Sequence, residues 1–246
     1  MKIISLVPSQ TELLVDLGLE KHIVGVTKFC VHPNHLKENK TIVGGTKTVN
    51  FKKIKSLKPD FILCNKEENT QEIVFECEKI AKTHVSDLIT IQDTLKLIEE
   101  YGVLFTCEAK AHSLIDEINF KLADFNQFIK DKPILKVAYF IWKNPWMVAA
   151  NNTFINHLLT INRFENIYAN LERYPEVDLK NIQKDGNPDL ILLSSEPFPF
   201  KEKHTIEIEA YTKNAKTILV DGEMFSWYGS RLILAFDYFK KLRNSI

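Results

Sequence analysis

Short apolar runs alternate with amphipathic stretches along the first part of the chain. Residues 3–7 predict a buried strand that leads into a helix. Ser9 and Glu12 form a capping-box pattern, in which each side chain satisfies an amide at the start of that helix. Gly18 predicts the end of the helix, and residues 22–26 predict the next strand. Strands that alternate with helices indicate an α/β protein with a mainly parallel sheet flanked by helices.

The same order of elements occurs twice. In the first half, a helix over 51–57 precedes Pro59 and Asp60, and an apolar strand over 61–64 follows. A polar loop over 65–69 and a helix over about 70–82 come next. In the second half, a short helix over 179–183 precedes Pro188 and Asp189, then a strand over 190–193 and a polar turn over 194–196. Proline ends each helix because it lacks an amide and disfavours helix in the residue before it. The repeat predicts two similar α/β lobes.

A long helix over 108–130 is predicted between the two halves, because apolar residues recur there at three- and four-residue steps. We interpret it as a connecting helix, and predict lobes over 1–107 and 132–246 joined by residues 108–131. Such a connector makes the lobes a stiff pair, so large hinge closure is not expected. The alternative is a surface helix of a single domain.

The composition of the chain limits the classes of partner that we expect it to bind. Lys+Arg and Asp+Glu each number 32, so the formal net charge is zero. That balance argues against a nucleic-acid partner and gives no pull toward an anionic membrane. The four cysteines show no C-x-x-C pair and are expected to be free thiols. We expect a monomer.

The start of the chain contains no recognisable secretory leader. The apolar run before Pro8 is shorter than the roughly 7–15 residues of a leader's hydrophobic region. No stretch approaches the roughly 20 apolar residues of a membrane span. We therefore expect either that a leader was removed or that the protein is cytoplasmic, if Met1 is the native start.

Large aromatic side chains follow the predicted strands, where ligands of open parallel sheets bind. Aromatic loops are costly in water unless they pack or bind something, and they suit a large, flat, partly apolar ligand. Taken singly, each ring is explained by packing within its loop; as a set they indicate a binding surface. The set is Trp142, Trp146, Phe198, Phe200, Phe225, Trp227 and Tyr228.

Three alternatives concern metals, catalysis and protein partners. Cys30 and His32 have donors suited to zinc or to the axial position of a metallated tetrapyrrole; alternatively, they are a buried thiol and a loop histidine bonded to backbone. No hydrolase elbow, Walker loop or dinucleotide fingerprint is present. The enzyme alternative is a tetrapyrrole chelatase that pairs His32 with Glu67 or Glu196. The third is an interaction module whose aromatic loops meet another protein.

Several motifs resemble those of the helical-backbone, class III substrate-binding proteins, which serve vitamin B12 and ferric-siderophore ABC importers. The segment S-L-V-P-S-Q-T-E over 5–12 resembles the opening strand and turn of that family. Segments over 43–46, 57–60, 165–168 and 230–231 are similar to its later landmarks. The resemblance covers essentially the whole chain. It implies two lobes bridged by one helix, no catalysis, no intrinsic cofactor, a periplasmic or cell-envelope location, and a ligand held in a shallow cleft between the lobes.

The resemblance also implies ligand contacts. Phe29, Trp146 or Met147, and Tyr174 match aromatic contacts of vitamin B12 receptors, whereas Thr46 and Asn65 replace tryptophans. We expect a large metal-bearing ligand, with a corrinoid ranked above a ferric siderophore or haem. The predicted stacking residues are Phe29, Trp146, Tyr174, Phe198, Trp227 and Tyr228, and the predicted polar contacts are Ser9, Gln10, His32, Thr46, Asn65, Glu67 and Glu196.

Docking on a permease is the point at which the chain departs from the family. Members dock through one acidic residue on each lobe, which meets arginines of the transporter. The matching positions here are Lys52 and Lys180, and like charges repel. Glu176 and Asp178 offer substitutes on one lobe only. The sequence therefore predicts a relative that keeps the binding cleft without the standard docking, either cytoplasmic or otherwise specialised.

Overall fold

The computed structural model describes residues 1–246, and the chain divides into two units. The first unit comprises Met1–Leu88, Gln92–Asn119 and Tyr228–Leu232. The second comprises Ile89–Ile91, Phe120–Trp227 and Ile233–Ile246. Each unit is built around its own five-stranded sheet, which confirms an α/β protein with two mainly parallel sheets flanked by helices.

The first unit contains strands β1 to β5 in a fully parallel sheet with the order β3-β2-β1-β4-β5. Ile4, Leu6, Val43, Ile62 and Cys64 belong to its fully buried core, which helices α3 and α4 help to cover. The elements are β1 Ile3–Ser5, α1 Pro8–Asp16, η1 Glu20–His22, β2 Ile23–Val26, α2 Leu36–Asn39, β3 Thr41–Ile42, α3 Phe51–Leu57, β4 Phe61–Asn65, α4 Gln71–Glu78, β5 Lys82–Ser86 and α5 Ile91–Leu104.

The start of α1 differs from the predicted capping box. Val7 is the N-cap residue, Pro8 occupies the first turn, and no side chain caps the helix. Glu12 instead pairs with Arg231, which lies more than 200 positions further along the chain. Gly18, with φ of +79°, does follow the end of the helix as predicted. The capping prediction was wrong because the helix begins at Pro8 with Val7 as its N-cap, so Ser9 lies inside the first turn and Glu12 lies too far along the helix to cap it.

The helix predicted over about 70–82 is shorter in the structure. It begins at Gln71, with the Thr70 hydroxyl accepting from the amide of Ile73, and it ends at Glu78. Lys82 already belongs to β5, which pairs with β4 over its whole length. Pairing with a neighbouring strand therefore overrides the local helical pattern.

The second unit contains a mixed sheet with the order β10-β9-β6-β7, and β8 also pairs with β6. Only β7 is antiparallel; β8, β9 and β10 run parallel to their neighbours. Ala138, Phe140, Ile191 and Leu193 lie in its fully buried core. The elements are β6 Leu135–Trp142, β7 Met147–Val148, α7 Phe154–Ile161, β8 Phe164–Asn166, η2 Leu179–Asn181, α8 Ile182–Asp185, β9 Leu190–Ser194, α9 Glu202–Glu209, β10 Lys216–Val220, α10 Gly222–Ser226 and α11 Leu232–Ser245.

The two predicted P-D repeats occupy matching positions in the two sheets. Asp60 accepts a hydrogen bond through Oδ2 from the amide of Lys2 at 2.7 Å, and its own amide donates to the Lys2 carbonyl. Asp189 accepts in the same way from the amide of Lys136 at 2.8 Å and donates to the Lys136 carbonyl. Each aspartate thus ties the start of its strand to the residue at the start of the neighbouring one, so the repeat is a structural equivalence.

The predicted long helix is α6, Glu108–Ile129. Its residues to Asn119 belong to the first unit and those from Phe120 to the second. Within the second unit, Phe125 packs against Phe236 and Phe239 of α11, and Lys121 pairs with Asp237. None of the helices combines the length and apolarity that crossing a membrane requires.

Candidate functional site

The loop after β2 presents an exposed aromatic ring at the carboxyl edge of the first sheet. The side chain of Phe29 is 48% exposed, and the Lys28 ammonium lies 4.9 Å from its ring centroid. Gly45, on the loop after β3, lies close to the ring: a Cβ built there would be 3.2 Å from Cε2 of Phe29, so a larger residue at this position would crowd it. About half of the Phe29 side chain is thus exposed, while the Gly45 backbone lies close to one edge of its ring.

Gln10 lies behind this edge at the centre of a buried polar network. Its Nε2 lies 2.6 Å from Ser86 Oγ and 3.0 Å from the Tyr228 hydroxyl, and its Oε1 accepts from Tyr101 at 2.8 Å. Burial raises the pKa of Tyr101 and of Tyr228, so both phenols remain protonated donors. Gln10 is fully buried, Ser9 5% exposed and Tyr228 7% exposed. Burial therefore argues against the direct ligand contacts that the sequence predicted for these three residues.

Asn65 organises the polar loop after β4. Its side-chain amide donates to the backbone and hydroxyl oxygens of Ser86, and its Oδ1 accepts from the amides of Glu67 and Glu68. Asn69 in turn accepts from the Asn65 amide at 2.9 Å and donates to the carbonyl of Thr46 at 2.9 Å. These bonds use the full donor and acceptor capacity of the Asn65 side chain. The predicted polar contacts Asn65 and Thr46 are brought together, but as buried supports of the loop.

The two glutamates of that loop are half-buried and closer to solvent. The Lys47 ammonium donates to the carbonyl of Glu67. Burial raises the pKa of Glu68, an effect that Lys47 and a hydrogen bond with Thr46 partly offset. The raised pKa extends the pH range over which the Glu68 carboxyl can donate as well as accept a hydrogen bond.

Cys30 and His32 lie on one loop but in different surroundings. The Cys30 thiol is fully buried between the hydroxyls of Thr11 at 3.1 Å and Thr27 at 3.3 Å. Burial raises its pKa, which disfavours the thiolate that a metal requires. His32 is half-buried and interacts with the charge of Glu12. No group of three or more His, Cys, Asp or Glu side chains is arranged to hold a metal. All four cysteines are free thiols.

A cluster of five rings occupies the carboxyl edge of the second sheet, and we call it the aromatic cluster. Trp146 stacks on Phe200 at 5.9 Å with an interplanar angle of 14° and meets Phe140 edge-on at 5.6 Å. Phe198 packs on Phe200 at 4.8 Å and meets Trp142 edge-on at 5.7 Å. Phe200 and Phe140 are buried, Trp146 and Phe198 are half-buried, and Trp142 is 39% exposed. The cluster thus grades from core to surface, and Trp142, absent from the predicted contact residues, is its most exposed ring.

Glu196 and Trp227 form a separate contact in the second unit. The Glu196 carboxylate accepts from the indole Nε1 of Trp227 at 2.9 Å and from the Ser226 hydroxyl at 2.6 Å. A Cβ on Gly222 would lie 2.6 Å from Cγ of Glu196, so the first residue of α10 must be glycine for this close approach. Trp227 is 6% exposed and Phe225 is fully buried. Both rings therefore pack in the unit, which argues against the predicted direct stacking of Trp227 on a ligand.

Three further residues from the sequence analysis lie on other segments of the two units. Tyr174 is half-buried on the segment that pairs with β7, where Val148 donates to Pro175 and Ala150 to the carbonyl of Arg173. Lys52 and Lys180 are both exposed at the second residue of their helices, α3 and η2, which Asn50 and Asp178 cap. The structure thus places the two lysines at equivalent points of the two units.

Comparison with known proteins gives a consistent result. A family model described as periplasmic binding protein matches residues 3–219. An uncharacterized ABC transporter substrate-binding lipoprotein of Bacillus subtilis, YvrC, is 29% identical over 247 residues, which cover 94% of this chain and 76% of that protein. The vitamin B12-binding protein of Vibrio cholerae is 25% identical over 187 residues, which cover 74% of this chain and 66% of that protein.

Solved structures show the same fold at low sequence identity. The vitamin B12-binding protein BtuF of Vibrio cholerae superposes with a TM-score of 0.84 at 19% identity, covering 100% of this chain and 98% of that one. The haem-binding protein RhuT from Roseiflexus sp. RS-1 has a TM-score of 0.84 at 14% identity, covering 99% and 98%. A possible iron-binding protein from Staphylococcus epidermidis has a TM-score of 0.82 at 24% identity, covering 99% and 97%.

Proposed function

The chain belongs to the periplasmic binding protein family, and we propose that it captures a large, flat, metal-bearing small molecule, a corrinoid in preference to a ferric siderophore or haem. Its relatives include a substrate-binding lipoprotein of an ABC transporter and a vitamin B12-binding protein. The family consists of solute-binding proteins rather than enzymes, so the chelatase alternative is set aside. The proposed action is reversible, non-covalent binding that delivers the ligand to an importer.

The observation that carries this proposal is one exposed aromatic ring at the carboxyl edge of each sheet. Phe29 is 48% exposed in the first unit, and Trp142 is 39% exposed in the second. Phe29 has the Gly45 backbone close to its ring and Trp142 packs edge-on against Phe198, so each ring loses little conformational entropy when it stacks on a flat ligand. A macrocycle offers the apolar faces that such rings bind.

Polar groups on the loop after β4 favour a corrinoid within that class. The loop that carries Glu67 and Glu68 places two carboxyl groups at the carboxyl edge of the first sheet, where Lys47 offsets part of their charge and Lys28 lies beside Phe29, so hydrogen bonding rather than net charge distinguishes the candidate ligands. A corrinoid carries neutral amide side chains that donate and accept hydrogen bonds. Carboxyl groups match the amide donors, and the raised pKa of Glu68 extends the range in which it can also donate to an amide oxygen.

Calorimetric or absorbance titration with cyanocobalamin, dicyanocobinamide, haem and a ferric siderophore tests the proposal. We expect the corrinoids to bind most tightly, and Phe29→Ala and Trp142→Ala each to weaken their binding roughly tenfold. Phe75→Ala and Tyr211→Ala are the matched controls, since both rings are exposed but lie away from the carboxyl edges, at 61% and 40% exposure. These controls should leave the affinity unchanged.

Tight binding of haem or a siderophore with no corrinoid binding would contradict the corrinoid preference but not the proposed binding site. If neither Phe29→Ala nor Trp142→Ala changed the affinity, the two carboxyl-edge rings would not be part of the binding site. No binding of any of the four compounds would contradict the proposed ligand class.

The proposed partner is an ABC permease whose docking surface is not the arginine-bearing type that the resemblance implies. Lys52 and Lys180 are exposed at equivalent points of the two units, and cations there repel arginines. We expect native protein to bind an arginine-bearing permease weakly, and the double variant Lys52→Glu with Lys180→Glu to bind it more tightly. Co-purification in detergent measures both. Tight binding of the native chain to such a permease would contradict this part of the proposal.

A further inference from the structure

His204 is a buried residue of the second unit that no sequence motif singled out. It lies in the first turn of α9 and is 5% exposed. Its Nδ1 accepts from the amide of Lys201 at 2.9 Å, and its own amide donates to the Lys201 carbonyl at 2.8 Å. A ring nitrogen that accepts from an amide carries no proton, so this contact selects the neutral imidazole with its hydrogen on Nε2.

The imidazole also forms one wall of the aromatic cluster. Its ring meets Phe198 edge-on at 5.4 Å and Phe200 edge-on at 5.5 Å. Those two rings are the ones on which Trp142 and Trp146 rest. A continuous set of packed rings therefore links the cap of α9 to the exposed tryptophan at the carboxyl edge.

Charged groups around His204 oppose its protonation. Burial lowers the pKa of His204, and the ammonium groups of Lys143, Lys203 and Lys201 lower it further, while Glu207 acts in the opposite sense. Lys143 comes from the loop after β6, where it pairs with Glu207 and lies 5.5 Å from the Trp146 ring centroid. The other three groups lie on α9 or at its start. Cations thus face the imidazole from both elements.

We propose that His204 is a positioning residue for the aromatic cluster, which it holds in place while the imidazole is neutral and loosens when the imidazole binds a proton. A proton on Nδ1 would point at the Lys201 amide and remove its acceptor, so the helix cap and the edge contacts would be lost together. The consequence for ligand rests on the proposed function: binding weakens in acid because Trp142 and Trp146 lose their support.

The pH window follows from the direction of the pKa shift. The folded state holds His204 neutral, so its contribution is fully present above the unperturbed value of 6.5 and is lost as pH falls through the lowered pKa. The response should therefore appear on the acid side of that value.

The variant His204→Asn keeps the hydrogen bond that caps α9 but removes the group that takes up a proton. The Asn side-chain oxygen can accept from the Lys201 amide, as Nδ1 does, but it does not take up a proton in this range. His204→Ala removes both properties. His112→Asn is the control, since His112 is exposed on the part of α6 that belongs to the first unit, whereas the aromatic cluster belongs to the second.

Tryptophan fluorescence and the dissociation constant for cyanocobalamin are measured from about pH 8 to about pH 5. We expect the emission of native protein and of His112→Asn to shift in acid and their affinity to fall roughly tenfold. His204→Asn should show neither change, and His204→Ala should have weak affinity at every pH. A His204→Asn variant with the native pH response overturns the proposal, as does native emission that is flat across the range.

The affinity and the emission profile test separate parts of the proposal. If cyanocobalamin does not bind at any pH, the proposed ligand is wrong, and the emission profile still decides the role of His204 in the aromatic cluster. An emission shift that His204→Asn abolishes, with an affinity that does not change with pH, overturns the link between the histidine and the ligand.

Discussion

Arg231 and Glu12 form a bidentate ion pair within the first unit. The guanidinium donates from Nε to Oε2 at 2.9 Å and from Nη2 to Oε1 at 2.6 Å, with side-chain exposures of 5% for Arg231 and 14% for Glu12. The pair ties the segment before α11 to the first helix of the chain. Because both charges are largely removed from water, each depends on the other for compensation.

Arg231→Ala should therefore destabilise the protein by about 3–5 kcal/mol, since it leaves a buried carboxylate without its cation. Burial raises the pKa of Glu12 above 4.5 even with Arg231 present, and loss of the arginine raises it further. A carboxyl whose folded pKa is raised loses stability as pH rises through that pKa, so the defect should be smaller in acid. Urea denaturation of both proteins at acidic and neutral pH measures the difference.

Lys241→Ala is the control for this prediction, because Lys241 is an exposed cation on α11. Its effect should stay within about 0.5 kcal/mol. An Arg231→Ala defect of the same small size, or one that grows in acid, would contradict the structural role of the pair.

Substitution of two tryptophans of the second unit should affect different properties, folding stability for Trp227 and ligand binding for Trp142. Trp227 is 6% exposed and donates to Glu196, so Trp227→Ala should cost about 3–5 kcal/mol of folding free energy. Trp142 is 39% exposed, so Trp142→Ala should cost less than about 1 kcal/mol while weakening ligand binding. Denaturation curves measured beside ligand titrations separate stability from affinity. Equal stability losses in the two variants would show that the aromatic cluster needs Trp142 for folding.

The aspartates that begin equivalent strands should have matched effects. Asp60→Ala and Asp189→Ala each remove one hydrogen bond to the amide of a neighbouring strand and should each cost roughly 1 kcal/mol. The Asn variants keep an acceptor oxygen and should recover part of that loss. The double Ala variant should show the sum of the two single effects, because the residues share no partner. A clear departure from additivity in urea denaturation would show that the two hydrogen bonds do not contribute independently to stability.

Much of the fold could be predicted because its signals are local. The helix predicted over 51–57 matches α3, because Pro59 marks its end; the structure adds the Asn50 cap at its start. The long helix α6 was predicted within one residue from its apolar period. The helix over 70–82 was overextended because the pairing of Lys82 with Phe61 is a long-range contact.

Less of the candidate site could be predicted from the sequence. Patterns identified the carboxyl-edge loops, but an aromatic residue on a loop packs or faces solvent according to its neighbours. Trp227 and Tyr228 are buried, whereas Trp142 is the exposed ring of the aromatic cluster. His204 gave little signal, because its role depends on Lys201 three residues earlier and on two phenylalanines that the loop before α9 folds against it.

The sequence by itself determined the alternation of strands and helices, the paired P-D starts at Asp60 and Asp189, and the loops on which polar and aromatic residues gather. These follow from periodicity, caps and backbone limits that act over a few residues. Tertiary structure alone decided that Glu12 pairs with Arg231 instead of capping α1, that Gln10 and Asn65 support loops from within, and that Phe29 and Trp142 remain exposed. Burial and partner choice depend on residues far apart in the chain, and a local pattern carries no record of them.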